Sequence, residues 1–391
     1  MLDPTISPRL QLLLPAVLVA SIAAAAVFAA EPPALPQPGA VQPAEGGLPA
    51  DPAASVPQVI LPLIHAAPVQ AELGLKGNLL VRLEELFATF DGDWWRARNL
   101  PPAEQRAAIA KLEKVAKTWL TDSLPKEKLL RLAELERRAQ GGRVLLRPSV
   151  AKAVGLSAEQ SGKLLSAARR TESAAAALGK VFALGTGSGD FEKAALQVAR
   201  ERELKLPGEL LSEEQHQQWR RLVGDPFDTT TLDRIYPMAP PLAPSATWIN
   251  SEPLTLAELR GKVVILHFYA FECVNCQRNL PIYAAWQQAY ADKGVAVIGI
   301  QSPETDRERN PEGVITAAKE AGIDYPVQFD GDLATWKAWG NTMWPTVYVI
   351  DQQGYLRVWW QGELTWQGAK GDEVIRGAVE KLLAAEADRT P

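Results

Sequence analysis

Lys262-Val-Val-Ile-Leu-His-Phe-Tyr269 runs directly into Ala270-Phe271-Glu272-Cys273-Val274-Asn275-Cys276-Gln277-Arg278, and this stretch decides the fold. The first part is a continuous apolar run rich in β-branched and aromatic residues, as expected of a strand buried on both faces. The second part holds both cysteines of the 391-residue chain, three positions apart. At a strand-to-helix junction Cys273 falls at the helix N-terminus, where free N–H groups and the helix dipole lower a thiol pKa from its usual ~8.5. Cys276 sits one turn further in, within reach to resolve a mixed disulfide and expected to be more buried. Two intervening residues allow a closable ring and reversible cycling. The Glu272 carboxylate beside Cys273 is expected to oppose thiolate formation and tilt the couple towards its reducing end.

Outward from this stretch, residues 233–391 continue as a mixed α/β pattern. Val295-Ala-Val-Ile-Gly-Ile300 is a second buried strand, and Thr346–Ile350, a turn at Asp351-Gln-Gln-Gly354 and Tyr355–Trp360 read as a hairpin. Pro281–Asp292, Glu312–Ala321 and Asp372–Ala385 read as helices. Eight of the twelve tryptophans lie here, and 14 basic against 20 acidic residues give this region a net charge of −6.

With these elements in place, residues ~236–388 resemble a thioredoxin-fold domain of the TlpA/ResA/DipZ (redoxin, AhpC/TSA-like) thiol–disulfide oxidoreductase type. Leu256-Ala-Glu-Leu-Arg-Gly-Lys262 precedes the strand, Pro281 lies five residues after Cys276, and Trp344-Pro345-Thr346 matches the cis-proline loop. The insertion around Gln301–Gly322 before Tyr325-Pro326 fits the exported branch of that family. The resemblance implies Cys273 and Cys276 as the redox pair and a substrate groove shaped by Trp344, Pro345, Thr346, Val274 and Asn275. It also implies protein disulfide or dithiol substrates, an upstream membrane-bound thiol–disulfide electron donor, and no cofactor. The family's buried acid six residues before the first Cys corresponds here to His267. His267 and Glu272 are therefore the candidate proton relays, with a satisfied core histidine as the alternative for the first. A peroxiredoxin is the enzymatic rival, but it needs Thr or Ser three residues before its cysteine, where this chain has Ala270.

Residues 59–232 read as an all-helical region, with 26 basic and 22 acidic residues interspersed and Pro/Gly punctuation for six to eight helices. Pro68–Leu75 and Ser149–Leu156 form a weak repeat offset by 81 residues. Leu156-Ser-Ala-Glu-Gln160 and Leu211-Ser-Glu-Glu-Gln215 each place Ser three residues before Gln, a capping box at a helix start. They resemble the LTxxQ pattern of Spy/CpxP-type helical periplasmic proteins. That resemblance implies a client-binding cradle, and a structural or dimerising spacer is the plainer role. His65 and His216 have no motif around them.

Residues 12–30 carry no charge, and Val27 and Ala29 are placed for cleavage before Ala30. Residues 1–30 are thus a signal peptide or a membrane anchor, expected to place the rest in the periplasm or otherwise outside the cytoplasm. Residues 31–58 follow as a Pro/Ala-rich linker that cannot bury a core.

Composition sets the exclusions: 47% hydrophobic and 22% charged residues suit globular domains, and a net charge of −5 does not suit a phosphate-binding nucleic-acid partner. Two cysteines and three scattered histidines give no metal site. The expected protein is an exported thiol–disulfide oxidoreductase, with a periplasmic chaperone or adaptor as the alternative and a homodimer through the helical region as a further expectation.

Overall fold

Gly74 and Gly155 end two short helices in the left-handed backbone region (φ 71° and 73°), which explains why glycine recurs at the repeat noted above. In the computed structural model, residues 51–184, 189–228 and 236–387 are described. The leader or anchor expected over residues 1–30 and most of the 31–58 linker lie outside them. No single helix among the described residues is long and apolar enough to cross a membrane.

The helical region contains α1 (Ile60–His65), α2 (Ala67–Leu73), α3 (Asn78–Ala97), α4 (Pro102–Ser123), α5 (Lys126–Ala139), α6 (Pro148–Val154), α7 (Ala158–Leu184), α8 (Asp190–Leu210) and α9 (Glu213–Val223). These nine helices among the described residues exceed the expected six to eight, because Ala66 and Pro68 break the first apolar stretch into two short helices. The repeat is a helix with Pro in its first turn followed by a glycine cap: Leu75 N–H donates to Gln70 O (2.8 Å) and Leu156 N–H to Ala151 O (2.9 Å). Both capping boxes form, and their glutamines also meet. The Gln160 side-chain amide donates to Gln215 Oε1 (2.8 Å) and the Gln215 amide donates back (3.0 Å). His65 is buried with Nδ1 on Leu61 O (2.7 Å), a satisfied core histidine.

The second compact unit comprises residues 236–387 together with Leu83–Leu100. A boundary at residue 232 therefore leaves out a segment that packs with the sheet. Its mixed sheet has the order β1 (Trp248–Ile249), β4 (Val327–Phe329), β3 (Val295–Gln301), β2 (Val263–Tyr269), β5 (Thr346–Ile350), β6 (Leu356–Gln361). β2 pairs in parallel with β3 and antiparallel with β5, which makes it central and buries all seven of its residues. Four helices complete the unit: α10 (Val274–Tyr290), α11 (Pro311–Glu320), α12 (Ala334–Ala338) and α13 (Gly371–Ala387). α10 begins seven residues before the expected Pro281; the proline is carried inside the helix and lacks only one N–H donor.

Two apolar layers flank the sheet. One gathers Ile265, Tyr269, Cys276, Tyr283, Trp286 and Val347; the other gathers Leu266, Phe268, Trp336, Trp339, Tyr348 and Trp95. Trp95 reaches this second layer from α3. Its ring meets Trp359 (centroids 5.0 Å) and Tyr348 (5.9 Å) edge-on, and its Nε1–H donates to Trp339 O (2.9 Å). Arg98 lies over Trp95 and donates to the Trp339 and Gly340 carbonyls.

Candidate active site

Cys273 is the N-cap of α10, in extended backbone, and its Sγ accepts the Cys276 N–H (3.3 Å). The turn leading to it is closed by Cys273 N–H on Ala270 O (3.3 Å) and by the Gln277 side-chain amide on Phe271 O (2.8 Å). Cys273 is half-buried and Cys276 fully buried, while Val274 and Asn275 between them face solvent. The accessible thiol is therefore the one at the helix start.

The two thiols diverge electrostatically. The pKa of Cys273 is lowered, first by the hydrogen bond from the Cys276 thiol and further by the Cys276 and Asn275 amides; burial and the Glu304 charge oppose this. The pKa of Cys276 is raised far above the thiol range, first by burial and then by the same hydrogen bond, which stabilises its protonated form. This arrangement favours a thiolate at 273 and keeps a protonated thiol at 276.

Glu272 does not act as the sequence suggests. Its carboxylate is engaged by Thr305 Oγ1–H (2.8 Å) and by Arg307 (3.0 Å), so the charge is paired away from the thiol. The carboxylate that opposes the Cys273 thiolate is Glu304, and the net direction at Cys273 is downward. The expected reducing tilt from Glu272 therefore loses its basis.

His267 lies at the middle of β2, stacked on Tyr283 of α10 (centroids 3.8 Å, 20°) and flanked by Tyr269 and Tyr325. Both ring nitrogens are buried with no hydrogen-bond partner, and burial lowers its pKa to about 3. It is a neutral imidazole at physiological pH. Tyr283 and Cys276 are seven residues apart on α10, hence on one face, and the cysteine charge acts on both Tyr283 and Tyr269. The structure thus places His267 beneath the same tyrosines that Cys276 faces, whereas Glu272 lies outside this buried layer.

β2 and β5 bring the remaining residues alongside. Phe268 pairs with Thr346, so the loop ahead of β5 lies next to the turn that carries Cys273. The Trp344–Pro345 peptide bond is cis. Trp344 stacks on Trp336 (4.0 Å, 22°) and donates from Nε1 to Ser302 O (3.0 Å); the buried Thr346 donates to Met343 O (2.8 Å). Trp344, Phe271 and Cys273 all pack, partly exposed, on the layer that contains Cys276.

Sequence reasoning missed Glu304 and the buried Glu308. Glu308 accepts backbone N–H groups from Glu272 (2.7 Å), Glu304 (2.7 Å) and Thr305 (2.9 Å). Only the Thr305-x-x-Glu308 spacing, a capping-box pattern, was readable in advance.

Comparison with known proteins gives the following similarities. Residues 241–359 match the model of the AhpC/TSA family. Protein DipZ of Mycobacterium tuberculosis is 43% identical over 122 residues, which is 30% of this chain and 18% of DipZ. Protein SUPPRESSOR OF QUENCHING 1, chloroplastic, of Arabidopsis thaliana is 35% identical over 108 residues, 27% of this chain and 10% of that protein. Thiol-disulfide oxidoreductase ResA of Bacillus thuringiensis (strain Al Hakam) is 27% identical over 136 residues, 35% of this chain and 72% of ResA. This chain therefore spans less than a fifth of the DipZ protein it matches. A crystallised thioredoxin-like superfamily protein aligns with 37% of this chain and 96% of its own at 27% identity, with a TM-score of 0.34.

Proposed function

Taking the C-terminal unit as a redoxin-type, thioredoxin-like domain of the kind found in DipZ and ResA, we propose that this chain is a thiol–disulfide oxidoreductase working through its Cys-Val-Asn-Cys pair. The observation that carries this is the Cys273 thiol at the helix cap with lowered pKa, backed by the buried, protonated Cys276.

In the reductive direction, the Cys273 thiolate attacks one sulfur of a substrate disulfide. A mixed disulfide forms and the other substrate sulfur leaves as a thiolate. Cys276 then gives up its proton and attacks Cys273 Sγ, which closes the intramolecular disulfide and releases the second substrate thiolate. The substrate gains two electrons and the chain loses two; a dithiol donor restores them, and the oxidative direction is the reverse. The proton on Cys276 needs an acceptor in a dry layer. His267, neutral and with both nitrogens unpaired beneath Tyr283, is proposed as the relay that takes it transiently. Val274, Asn275, Trp344, Pro345 and Thr346 are proposed to border the substrate groove.

The substrates are proposed to be protein disulfides or dithiols, and the donor a thiol–disulfide protein at the membrane. Action outside the cytoplasm, and tethering or cleavage through residues 12–30, follow from the uncharged leader and belong to the same proposal. For the helical region a spacer role is proposed, because Gln160 and Gln215 are spent on their own caps and on each other. Peroxide reduction is not proposed: Ala270 stands where a hydroxyl is required.

The test is catalysed reduction of a protein disulfide by the full chain with a dithiol electron source. Turnover that vanishes in Cys273→Ser is the expected result. Equal rates with and without the wild-type chain would refute the assignment.

A further inference from the structure

Residues 302–309, between β3 and α11, take no part in the reaction just described, yet three contacts tie them to the residue before the nucleophile. Glu272 N–H donates to Glu308 Oε1 (2.7 Å), Thr305 Oγ1–H donates to Glu272 Oε2 (2.8 Å), and Arg307 pairs with Glu272 Oε1 (3.0 Å). The other Glu308 oxygen accepts the Glu304 and Thr305 N–H groups (2.7 and 2.9 Å). Glu308 is fully buried. A buried carboxylate is costly unless its oxygens are satisfied, and three amide donors satisfy this one and hold it in a single orientation. Glu272 and Glu304 hang from opposite oxygens of one carboxylate, so their backbones are bridged by that single group. Cys273 follows Glu272 directly, so the Glu304 side chain is kept within electrostatic range of the thiol.

We propose that residues 302–309 form a redox-tuning strap in which Glu308 positions the Glu304 charge beside Cys273 and thereby restrains thiolate formation there. This rests on reading Cys273 as the nucleophile. The titratable groups facing the cysteine pair are Glu304 from the strap, Tyr269 from the end of β2 and Tyr283 from α10. The other nearby charges are paired: Glu272 with Arg307, and Arg278 with Glu363. Glu304 is exposed, and its charge disfavours ionisation of both cysteines. Glu308 touches no thiol, so it is a positioning residue and its effect must pass through Glu304.

The experiment is the pH profile of iodoacetamide alkylation of Cys273 in the full, reduced chain, in four versions: wild type, Glu304→Gln, Glu308→Gln and the double substitution. Glu304→Gln is expected to move the profile to lower pH and speed alkylation at pH 7 about two- to threefold. In the Glu308→Gln background the same substitution is expected to change nothing, since the strap no longer holds residue 304 in place. An equal shift in both backgrounds would overturn the positioning role, and no shift in either would overturn the tuning role. If Glu308→Gln does not fold, Thr305→Val with Arg307→Gln cuts the two side-chain ties to Glu272 and takes its place, with the same two overturning outcomes. Alkylation needs no protein substrate. Failure of disulfide turnover would thus count against the proposed function and leave the strap result standing.

Discussion

Cys273 and Cys276 are one helical turn apart; the hydrogen bond between them leads in lowering the pKa of Cys273, while burial first, and then that bond, raises the pKa of Cys276. At pH 7 Cys273 should therefore alkylate at least about a hundredfold faster than Cys276, measured by peptide mapping after brief labelling; comparable rates would contradict the division of roles. His267 yields a second prediction. Its pKa falls from 6.5 to about 3 on burial, so the unfolded chain binds a proton that the folded chain refuses throughout that interval. The stability that His267 contributes is complete above pH 6.5 and drains away as pH falls towards 3, by about 2 kcal/mol at pH 5. His267→Phe should flatten that part of the pH profile in urea unfolding; an unchanged slope would place the titration elsewhere. The cysteine spacing and the place of His267 on a buried strand could be read from the sequence. That Thr305 and Arg307 pair off Glu272, and that Glu304 is the carboxylate opposing the Cys273 thiolate, could not, because those partners lie more than thirty residues away along the chain.

At the scale of elements, the two Leu-Ser-x-x-Gln motifs are legible as caps because capping is local: Ser accepts an N–H and Gln returns the bond three residues on. Their mutual docking across 55 residues is not local and left no mark in the pattern. Ser212→Ala should cost about 1 kcal/mol. A double-mutant cycle on Gln160→Ala and Gln215→Ala should show coupling of about 0.5–1.5 kcal/mol, and strict additivity would mean the amides do not support one another. β2 illustrates the opposite case: an unbroken apolar run has only one comfortable place, the middle of a covered sheet, and that is where it lies.

For the molecule as a whole, composition shifts near residue 232 and suggests a boundary there, yet Leu83–Leu100 packs with the sheet unit. The sequence hides this because Trp94 and Trp95 sit on a helix whose own periodicity looks no different from its neighbours. Trp95 is nearly fully buried, and Met238 N–H donates to Asp91 of the same segment (2.7 Å). Trp95→Ala should destabilise the sheet unit by roughly 3–5 kcal/mol. A fragment of residues 236–391 should melt well below that unit in the full chain and gain stability when a peptide of residues 78–100 is added; a fragment that melts with the full chain would make the segment dispensable. Any deletion meant to separate the helical region from the redox chemistry should therefore retain residues 83–100.

The central claim is that Cys273 makes a mixed disulfide that Cys276 resolves. Its most direct test is mass spectrometry of the full chain carrying Cys276→Ser after reaction with a protein disulfide. A stable mixed disulfide should form at Cys273, and wild type should release it as the Cys273–Cys276 disulfide with free substrate thiols. No adduct at Cys273, or adducts formed equally by the Cys273→Ser chain through Cys276, would contradict it.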